Sequence, residues 1–289
     1  MSTACLTDMT KCIGCRSCQV SCKQWHGLKA EQNRLAGRSN LQNPLVLNAK
    51  NFTVLTINEV EETTPQGSTL KLVFAKRQCM HCDEPACVSA CPVTALRKTK
   101  GGAVTYDSAK CIGCRYCVWA CPFGIPTAEW DSLAPRIRKC TLCADRTADE
   151  LPQQDLNGKP IAGDAGARHR ESSRIPSCIK ACPTGALKFG DRDALLAEAW
   201  GRIKQSPGRY VPHVYGEKEA GGTHELYLSP VPFEKVGFRM DLGDRSYPSY
   251  ARVALEAVPT AVVVLGSILA GAHWLRNRKA DASKTEHHE

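Results

Sequence analysis

The spacing of the cysteines constrains this chain more than any other feature of its sequence. Sixteen of its seventeen cysteines fall into four short runs, and only Cys5 stands apart. The third run reads C-x-x-C-x-x-C-x-x-x-C-P. The first run has the same spacing but ends in Lys23, the second has one longer gap, and the fourth is split by an insert. The runs are Cys12, Cys15, Cys18 and Cys22; Cys79, Cys82, Cys87 and Cys91; Cys111, Cys114, Cys117 and Cys121; and Cys140, Cys143, Cys178 and Cys182.

This spacing is the one with which ferredoxins hold [4Fe–4S] clusters. Three cysteines at short steps wrap around one cluster, while the fourth ligates a neighbouring cluster and the following proline turns the chain away. Disulfides are disfavoured, because such closely spaced thiols make poor bridge partners. Zinc sites use paired C-x-x-C knuckles, a pattern that fits only Cys140 and Cys143. The sequence therefore predicts four [4Fe–4S] clusters bound by all sixteen thiols of the runs.

The spacing leaves open which runs exchange their fourth cysteines. Runs two and three are separated only by residues 92–110, where a turn at 97–102 and a strand at 103–106 indicate a short hairpin. Runs three and four are also close together in the chain, so an exchange between them is an alternative.

Between and after the runs, the sequence predicts a few regular elements. Residues 52–60 and 70–75 are typical of the two strands of a hairpin. The charged, glycine-containing residues 151–175 indicate a solvated excursion inside the fourth run. Residues 191–205 have helical periodicity with an aspartate at the N-cap position. Residues 206–233 are rich in Gly and Pro, and we expect them to form an extended segment on a surface.

A long apolar segment lies near the C-terminus. Residues 257–275 carry no charge and would extend about 28 Å as a helix, which matches the hydrocarbon core of a bilayer. Tyr250 and Trp274 flank the segment, as residues of the membrane interface do. Basic residues follow it from Arg276 and Arg278 onward, so the positive-inside rule predicts a cytoplasmic C-terminus.

The remaining composition argues against other functions. The net charge is +9, but lysines and arginines are scattered rather than gathered into a stripe, so nucleic-acid binding is not expected. The sequence has no nucleophile–base constellation and no glycine-rich phosphate loop, so we expect no catalysis of bond chemistry. Basic residues beside the ligands, such as Lys11 and Lys110, are candidates for stabilising reduced clusters, with ordinary surface charge as the alternative.

Five short motifs and the C-terminal apolar segment carry a family resemblance. The motifs are Cys12-Ile13-Gly14-Cys15-Arg16-Ser17-Cys18, Cys79-Met80-His81-Cys82, Cys121-Pro122-Phe123-Gly124-Ile125-Pro126, Lys139-Cys140-Thr141-Leu142-Cys143 and Gly221-Gly222-Thr223-His224. With them the chain resembles the iron–sulfur (beta) subunit of membrane-bound, molybdenum- or tungsten-dependent formate dehydrogenases. That family lies within the wider group of four-cluster ferredoxin-like subunits of molybdenum oxidoreductases. The insert between Cys143 and Cys178 departs from the family pattern by its length.

The resemblance implies an α+β fold, with two ferredoxin-like two-cluster modules and a C-terminal single transmembrane helix. It also implies that runs two and three exchange their fourth cysteines, as do runs one and four. The implied ligand sets are Cys12, Cys15, Cys18 and Cys182 for cluster 1; Cys22, Cys140, Cys143 and Cys178 for cluster 2; Cys79, Cys82, Cys87 and Cys121 for cluster 3; and Cys91, Cys111, Cys114 and Cys117 for cluster 4. The expected regions are a cluster domain 1–205, with modules 1–78 plus 122–205 and 79–121, an extended surface segment 206–253, a transmembrane helix 254–276 and a tail 277–289.

The resemblance implies a role and partners as well. Formate would be oxidised in a molybdenum or tungsten catalytic alpha subunit, and its electrons would pass through clusters 1, 2, 3 and 4 in turn. They would leave to haem b in a cytochrome b gamma membrane subunit that reduces quinone. The protein would lie in the lipid of the cell inner membrane with its cluster domain in the periplasm. Export would depend on the alpha subunit's twin-arginine signal, since no apolar segment precedes Cys12. The equivalent subunit of a hydrogenase, polysulfide reductase or nitrite reductase complex is the alternative.

Overall fold

The computed structural model describes residues 2–31, 42–64, 67–132, 135–147 and 174–285. The chain divides into two compact units, Met1–Tyr247 and Pro248–Glu289, and the first unit contains all seventeen cysteines. Most of the solvated excursion expected inside run four, residues 151–173, lies outside the described residues.

The first unit is built from short strands and helices. The strands are β1 (Thr3–Asp8), β2 (Val54–Thr64), β3 (Gly67–Arg77), β4 (Leu96–Lys98), β5 (Val104–Tyr106), β6 (Thr127–Ala128), β7 (Ile137–Arg138), β8 (Leu187–Asp191) and β9 (Glu225–Leu228). The helices are α1 (Ser17–Trp25), α2 (Ala86–Ser89), α3 (Tyr116–Ala120), α4 (Ala144–Thr147), α5 (Ser177–Lys180) and α6 (Arg192–Gln205). The last helix, α7 (Tyr247–Thr285), makes up most of the second unit.

A three-stranded sheet of order β8–β1–β9 joins distant parts of the first unit. Its central strand β1 pairs antiparallel with β8 and parallel with β9, where Cys5 lies opposite Glu225. Helix α6 packs on this sheet. It begins at the expected N-cap, because Asp191 Oδ1 accepts hydrogen bonds of 3.1 Å from the backbone N–H groups two and three residues further on. The helix predicted over residues 191–205 is confirmed.

Antiparallel hairpins lie between the cysteine runs. β2 pairs with β3 along their whole length, so both predicted strands are confirmed, although each is longer than its apolar part. The hairpin continues into a polar end, where Thr69 Oγ1 donates to the Glu62 carbonyl oxygen at 3.4 Å and Lys71 Nζ lies 3.1 Å from Glu62 Oε1. Hairpin β4–β5 lies between runs two and three, where the turn at 97–102 was expected, and β6–β7 lies between runs three and four.

The segment 206–253 differs from the expectation of an extended surface segment. It supplies strand β9 and a group of buried aromatic rings that pack edge to face against one another. The glycines of this segment lie at tight turns and do not indicate an exposed segment. Gly216, for example, has a φ of 96°, and its carbonyl oxygen accepts a 2.8 Å hydrogen bond from the Thr223 N–H. Composition locates such turns but does not say which side chains between them are buried. The buried rings are Tyr215, Tyr227, Phe233 and Phe238.

Helix α7 is the one helix in the described part of the chain that is long and apolar enough to cross a membrane. An 18-residue window within its Tyr247–Arg278 stretch has a mean hydropathy of 2.1, and none of that window is buried. The helix is longer than the expected span 254–276, because hydropathy marks only the part suited to lipid. The residues after Trp274 are mostly good helix formers and continue the helix beyond it.

We predict that Gly216→Ala destabilises the first unit strongly. A Cβ atom at this position would lie 2.1 Å from the carbonyl oxygen of Glu225, so the backbone of β9 would have to move. Gly208→Ala is the matched control, because Gly208 also has a positive φ, 80°, but its Cβ would meet nothing within 4 Å. The control should cost about 1–2 kcal/mol from the left-handed backbone alone. Gly216→Ala should cost several times more. Thermal unfolding of both purified variants measures the difference, and equal midpoints would contradict this packing.

Candidate metal centres

All seventeen cysteines are free thiols in this structure, and none forms a disulfide. In the described ranges, no three His, Cys, Asp or Glu side chains lie close enough to hold a single metal ion. A zinc ion with four thiolates would need sulfur atoms about 3.8 Å apart, given Zn–S distances of about 2.3 Å. A four-iron cluster presents one iron to each ligand and holds its thiolates farther apart. The described residues therefore show no preformed site for a single zinc ion.

Two pairs of short helices bring the cysteine runs together. α1 of run one packs against α5 of run four, and α2 of run two packs against α3 of run three. The first pair is joined by reciprocal hydrogen bonds. Ser21 Oγ donates to the Ser177 carbonyl oxygen at 2.9 Å, and Ser177 Oγ donates to the Ser21 carbonyl oxygen at 3.2 Å. The structure thus pairs run one with run four, and run two with run three.

Electrostatic coupling between thiols groups the sixteen cysteines of the runs into four sets. In each set below, burial raises the pKa of one thiol, and negative charge on the neighbouring thiols raises it further. Each set takes three cysteines from one run and one from its partner run, and we call the sets sites 1 to 4. Site 1 is Cys12, Cys15, Cys18 and Cys182; site 2 is Cys22, Cys140, Cys143 and Cys178; site 3 is Cys79, Cys82, Cys87 and Cys121; site 4 is Cys91, Cys111, Cys114 and Cys117.

The electrostatic couplings also connect the four sites in a row. One pair of thiols links each two consecutive sites. Burial raises the pKa of the first thiol named in each pair, and the negative charge of the second thiol raises that pKa further. The linking pairs are Cys18 with Cys178, Cys140 with Cys79, and Cys87 with Cys117. Apolar side chains fill the space around them: Phe52 and Ile125 pack with thiols of sites 2 and 3, and Leu96 and Val104 with thiols of sites 3 and 4. The row therefore runs through dry surroundings.

The Cys-Pro turns point hydrogen-bond donors at the last thiol of a run. The Ala95 N–H donates to Cys91 Sγ at 3.2 Å. At Cys182, burial raises the thiol pKa, but the Thr184 hydroxyl and backbone N–H groups of the next residues outweigh burial and hold the pKa below its usual value. Proline has no N–H of its own and turns the chain, so the following amides face the sulfur. Such donors orient a ligand thiolate and stabilise its charge.

In run one, a hydrogen-bond donor reaches the last thiol although no proline follows that cysteine. Lys23 follows Cys22, so helix α1 continues through this cysteine to Trp25 instead of turning. Burial raises the pKa of the Cys22 thiol to about 12, and a hydrogen bond from the Thr53 hydroxyl offsets part of that rise. The missing proline thus changes the local structure but leaves the Cys22 thiol in site 2.

The ligand loops of runs one and three share one backbone conformation. Gly14 and Gly113 have φ values of 73° and 75°, and Arg16 and Arg115 have values of 61° and 63° at the N-caps of α1 and α3. Glycine adopts this left-handed region freely, but arginine rarely does. The repeated sequence Lys-Cys-Ile-Gly-Cys-Arg at 11–16 and 110–115 was the signal that both loops fold alike.

Three lysines that the sequence analysis did not single out for this role lie beside the sites. Lys76 is near thiols of sites 1 and 2, and Lys98 and Lys139 are near thiols of site 3. By contrast, Lys11 and Lys110, which the sequence analysis proposed for this role, have exposed side chains. Strand alternation gives no signal for Lys76, because both faces of β3 are buried near its C-terminal end.

The Gly221-Gly222-Thr223-His224 motif anchors the ligand loop of site 3 to the central sheet. His224 Nε2 lies 2.7 Å from Asp83 Oδ1, and His224 Nδ1 lies 2.6 Å from the carbonyl oxygen of Thr3 in β1. A Cβ atom at Gly222 would lie 2.7 Å from Asp83 Oδ2, so the glycine lets this carboxylate approach. Asp83 belongs to the site 3 loop, and the motif therefore fixes that loop to β1.

The residues of the four sites fit [4Fe–4S] clusters. Each site offers four thiols, the ligands that such clusters normally use, and soft thiolate ligands favour iron–sulfur clusters over hard cations. The surrounding apolar residues and N–H donors are also the features that tune a bound cluster.

Comparison with protein families agrees with this chemistry. Two family models, each described as a 4Fe-4S dicluster domain, match residues 11–95 and residues 70–162. Together they cover runs one to three and the first two cysteines of run four.

Several relatives match almost the whole chain. A protein of Nitratidesulfovibrio vulgaris is 39% identical over 286 residues, which cover 98% of this chain and 69% of that protein. The nitrate-inducible formate dehydrogenase iron–sulfur subunit of Escherichia coli is 32% identical over 295 residues, which cover 98% of this chain and 89% of that subunit. The hydrogenase-2 operon protein HybA of Shigella flexneri is 31% identical over 312 residues, covering 98% and 86%.

We predict that Cys82→Ala lowers the iron content by about a quarter, because site 3 loses one of four ligands and a cluster there would be lost. Cys5→Ala is the matched control. Cys5 is also buried, but it lies in β1 and belongs to none of the four sites, so its removal should leave the iron content unchanged. Iron and sulfide assays on the purified variants measure both effects. Full iron content in Cys82→Ala, or loss of iron in Cys5→Ala, would contradict the assignment of site 3.

Proposed function

Because the chain belongs to the family of iron–sulfur subunits that includes those of formate dehydrogenases, we propose that it carries electrons from a formate-oxidising catalytic subunit to the membrane. It is an iron–sulfur electron-transfer subunit of the formate dehydrogenase or hydrogenase type, rather than a catalytic subunit. Its partner on the electron-accepting side would be a cytochrome b subunit, which passes the electrons to quinone.

In this proposal, each of sites 1 to 4 holds one [4Fe–4S] cluster. A bound cluster supplies one-electron transfer at a potential that its surroundings set. The residues of this chain bind the clusters through thiolates, keep water away with apolar side chains and space the sites. The observation that carries the proposal is the row of sites, in which thiols of consecutive sites lie close enough to influence one another electrostatically. A row of close centres is what electron transfer over a long distance requires.

The outer sites are the ones at which ligands reach solvent. Cys15 of site 1 and Cys114 of site 4 are exposed, whereas the ligands of sites 2 and 3 are buried or half-buried. Exposed apolar side chains accompany these two cysteines: Ile13 is 61% exposed, Ile112 is 65% exposed, and Trp119 is 85% exposed. Exposed apolar groups of this size are typical of interaction surfaces. Following the family resemblance, we assign the catalytic subunit to site 1 and the cytochrome b subunit to site 4.

Helix α7 is proposed to anchor the protein in the lipid of the inner membrane. Its length and apolarity suit a bilayer, and the anchor of a single-pass subunit would have no buried face within its own chain. Arg276 and Arg278 follow the apolar part, so the positive-inside rule favours a cytoplasmic C-terminus and a periplasmic cluster-bearing unit.

This orientation predicts where a C-terminal tag will be found. In spheroplasts with an intact inner membrane, a tag after residue 289 should resist added protease and become sensitive only after the membrane is opened. A tag inserted after Gly208, which is exposed in the cluster-bearing unit, is the opposite control and should be cut at once. Cleavage of the C-terminal tag in intact spheroplasts would reverse the orientation.

A second candidate function is electron transfer from hydrogen, and one observation favours it. The HybA protein of Shigella flexneri, which is named for a hydrogenase-2 operon, is nearly as similar to this chain as the formate dehydrogenase subunit of Escherichia coli. The sites described above would serve either donor, because the donor reacts in a different subunit.

We predict that the complex purified from membranes contains about 16 iron atoms per copy of this chain beyond those of its partners, four per cluster. Anaerobic formate should bleach the visible absorbance of the clusters, and added quinone should restore it. Hydrogen gas is the control donor. Bleaching by hydrogen and not by formate would establish the second candidate, and bleaching by neither would refute both.

A further inference from the structure

A lysine side chain lies deep within the first unit, among the thiols. Lys76 is on β3, is 2% exposed, and donates from Nζ to Gln78 Oε1. Burial of an ammonium group away from water is unfavourable unless other charges compensate it. Such a group therefore needs a partner or a function.

The compensating charge is the carboxylate of Glu225 on β9. Gln78 Nε2 donates to Glu225 Oε1, so one amide side chain bridges the lysine and the glutamate. Glu225 is itself fully buried, and in the described part of the chain its Oε2 atom has no hydrogen-bond partner. A pair that is linked through an amide and incompletely satisfied is a poor source of stability, since apolar residues of similar volume would serve as well or better.

The two charges lie beside the same ligands. Burial raises the pKa of the Cys18, Cys22 and Cys178 thiols, and the positive charge of Lys76 offsets part of that rise. Burial also raises the pKa of the Cys140 thiol, and there the negative charge of Glu225 adds to the rise, as it does at Cys178. Lys76 thus faces ligands of sites 1 and 2, while Glu225 faces ligands of site 2.

We propose that Lys76 and Glu225 set the reduction potentials of the clusters at sites 1 and 2, with Lys76 raising the potentials and Glu225 lowering them. A cluster gains one negative charge on reduction, so a nearby buried cation favours the reduced form and a nearby buried anion opposes it. The inference rests on the proposed function, because it requires clusters at these sites. Both residues act through the clusters' electrostatic surroundings and touch no substrate.

The test is a redox titration of the purified complex, monitored by electron paramagnetic resonance at pH 9. Burial raises the pKa of Glu225 to about 7, so its carboxylate is charged at this pH. Lys76→Met should make reduction of one or two of the four clusters at least tenfold less favourable, which is about 59 mV for one electron. Glu225→Gln should shift clusters in the opposite direction, because it leaves Lys76 unopposed.

Lys71→Met is the matched control, since Lys71 lies on the same strand but is only half-buried and is paired with Glu62. It should leave all four potentials unchanged. The double variant Lys76→Met/Glu225→Gln removes both buried charges together and should return the potentials towards those of the wild type. If Lys76→Met does not assemble, Glu225→Gln and the double variant decide the sign.

A merely structural role would not give shifts of opposite sign. The inference is overturned if Glu225→Gln fails to raise a potential, or if both single variants shift potentials in the same direction. Iron content is measured first in every preparation. A wild-type protein without clusters would refute the proposed function, whereas a wild type with four clusters and variants with unshifted potentials would refute this inference alone.

Discussion

The gathering of sixteen thiols in apolar surroundings is the constraint on which the rest of this structure depends. As ligands the thiols must be thiolates, and thiolates so close together repel one another unless positive charge lies between them. Their burial raises the pKa of most of these groups, so without metal the neutral thiol is favoured. Helices α2, α3 and α5 are short because each needs only to bring a thiol to its site, and a bound cluster would join what they leave apart.

The ends of the cysteine runs show that different local structures can place a hydrogen-bond donor at the last thiol of a run. In the Cys-Pro turns, backbone N–H groups after the proline approach the sulfur, as at Cys91 and Cys182. At Cys22 the chain stays helical, and the hydroxyl of Thr53, which precedes β2, donates instead. Both arrangements place a hydrogen-bond donor at the thiol. The chemistry of the ligand therefore constrains the fold more tightly than the proline does.

Much of this fold could be predicted from the sequence, where the signal is local. Helix α6, the β2–β3 hairpin and the C-terminal helix follow from periodicity and hydropathy. Spacing predicts which cysteines act together within a run, but the pairing of runs depends on contacts between distant residues, such as Ser21 and Ser177, which spacing does not encode. Lys76 and the buried segment after residue 206 were missed for the same reason. Their burial results from packing by other parts of the chain, and composition carries no record of it.

The position of β1 at the centre of its sheet has a consequence for synthesis on the ribosome. Both neighbours of this strand, β8 and β9, come much later in the chain. The strand must therefore wait unpaired while about 180 residues are added, which takes about 9–36 s at ordinary translation rates. During that interval β1 and its Cys5 have no sheet to join, so the first strand of the chain is among the last parts to acquire its native structure.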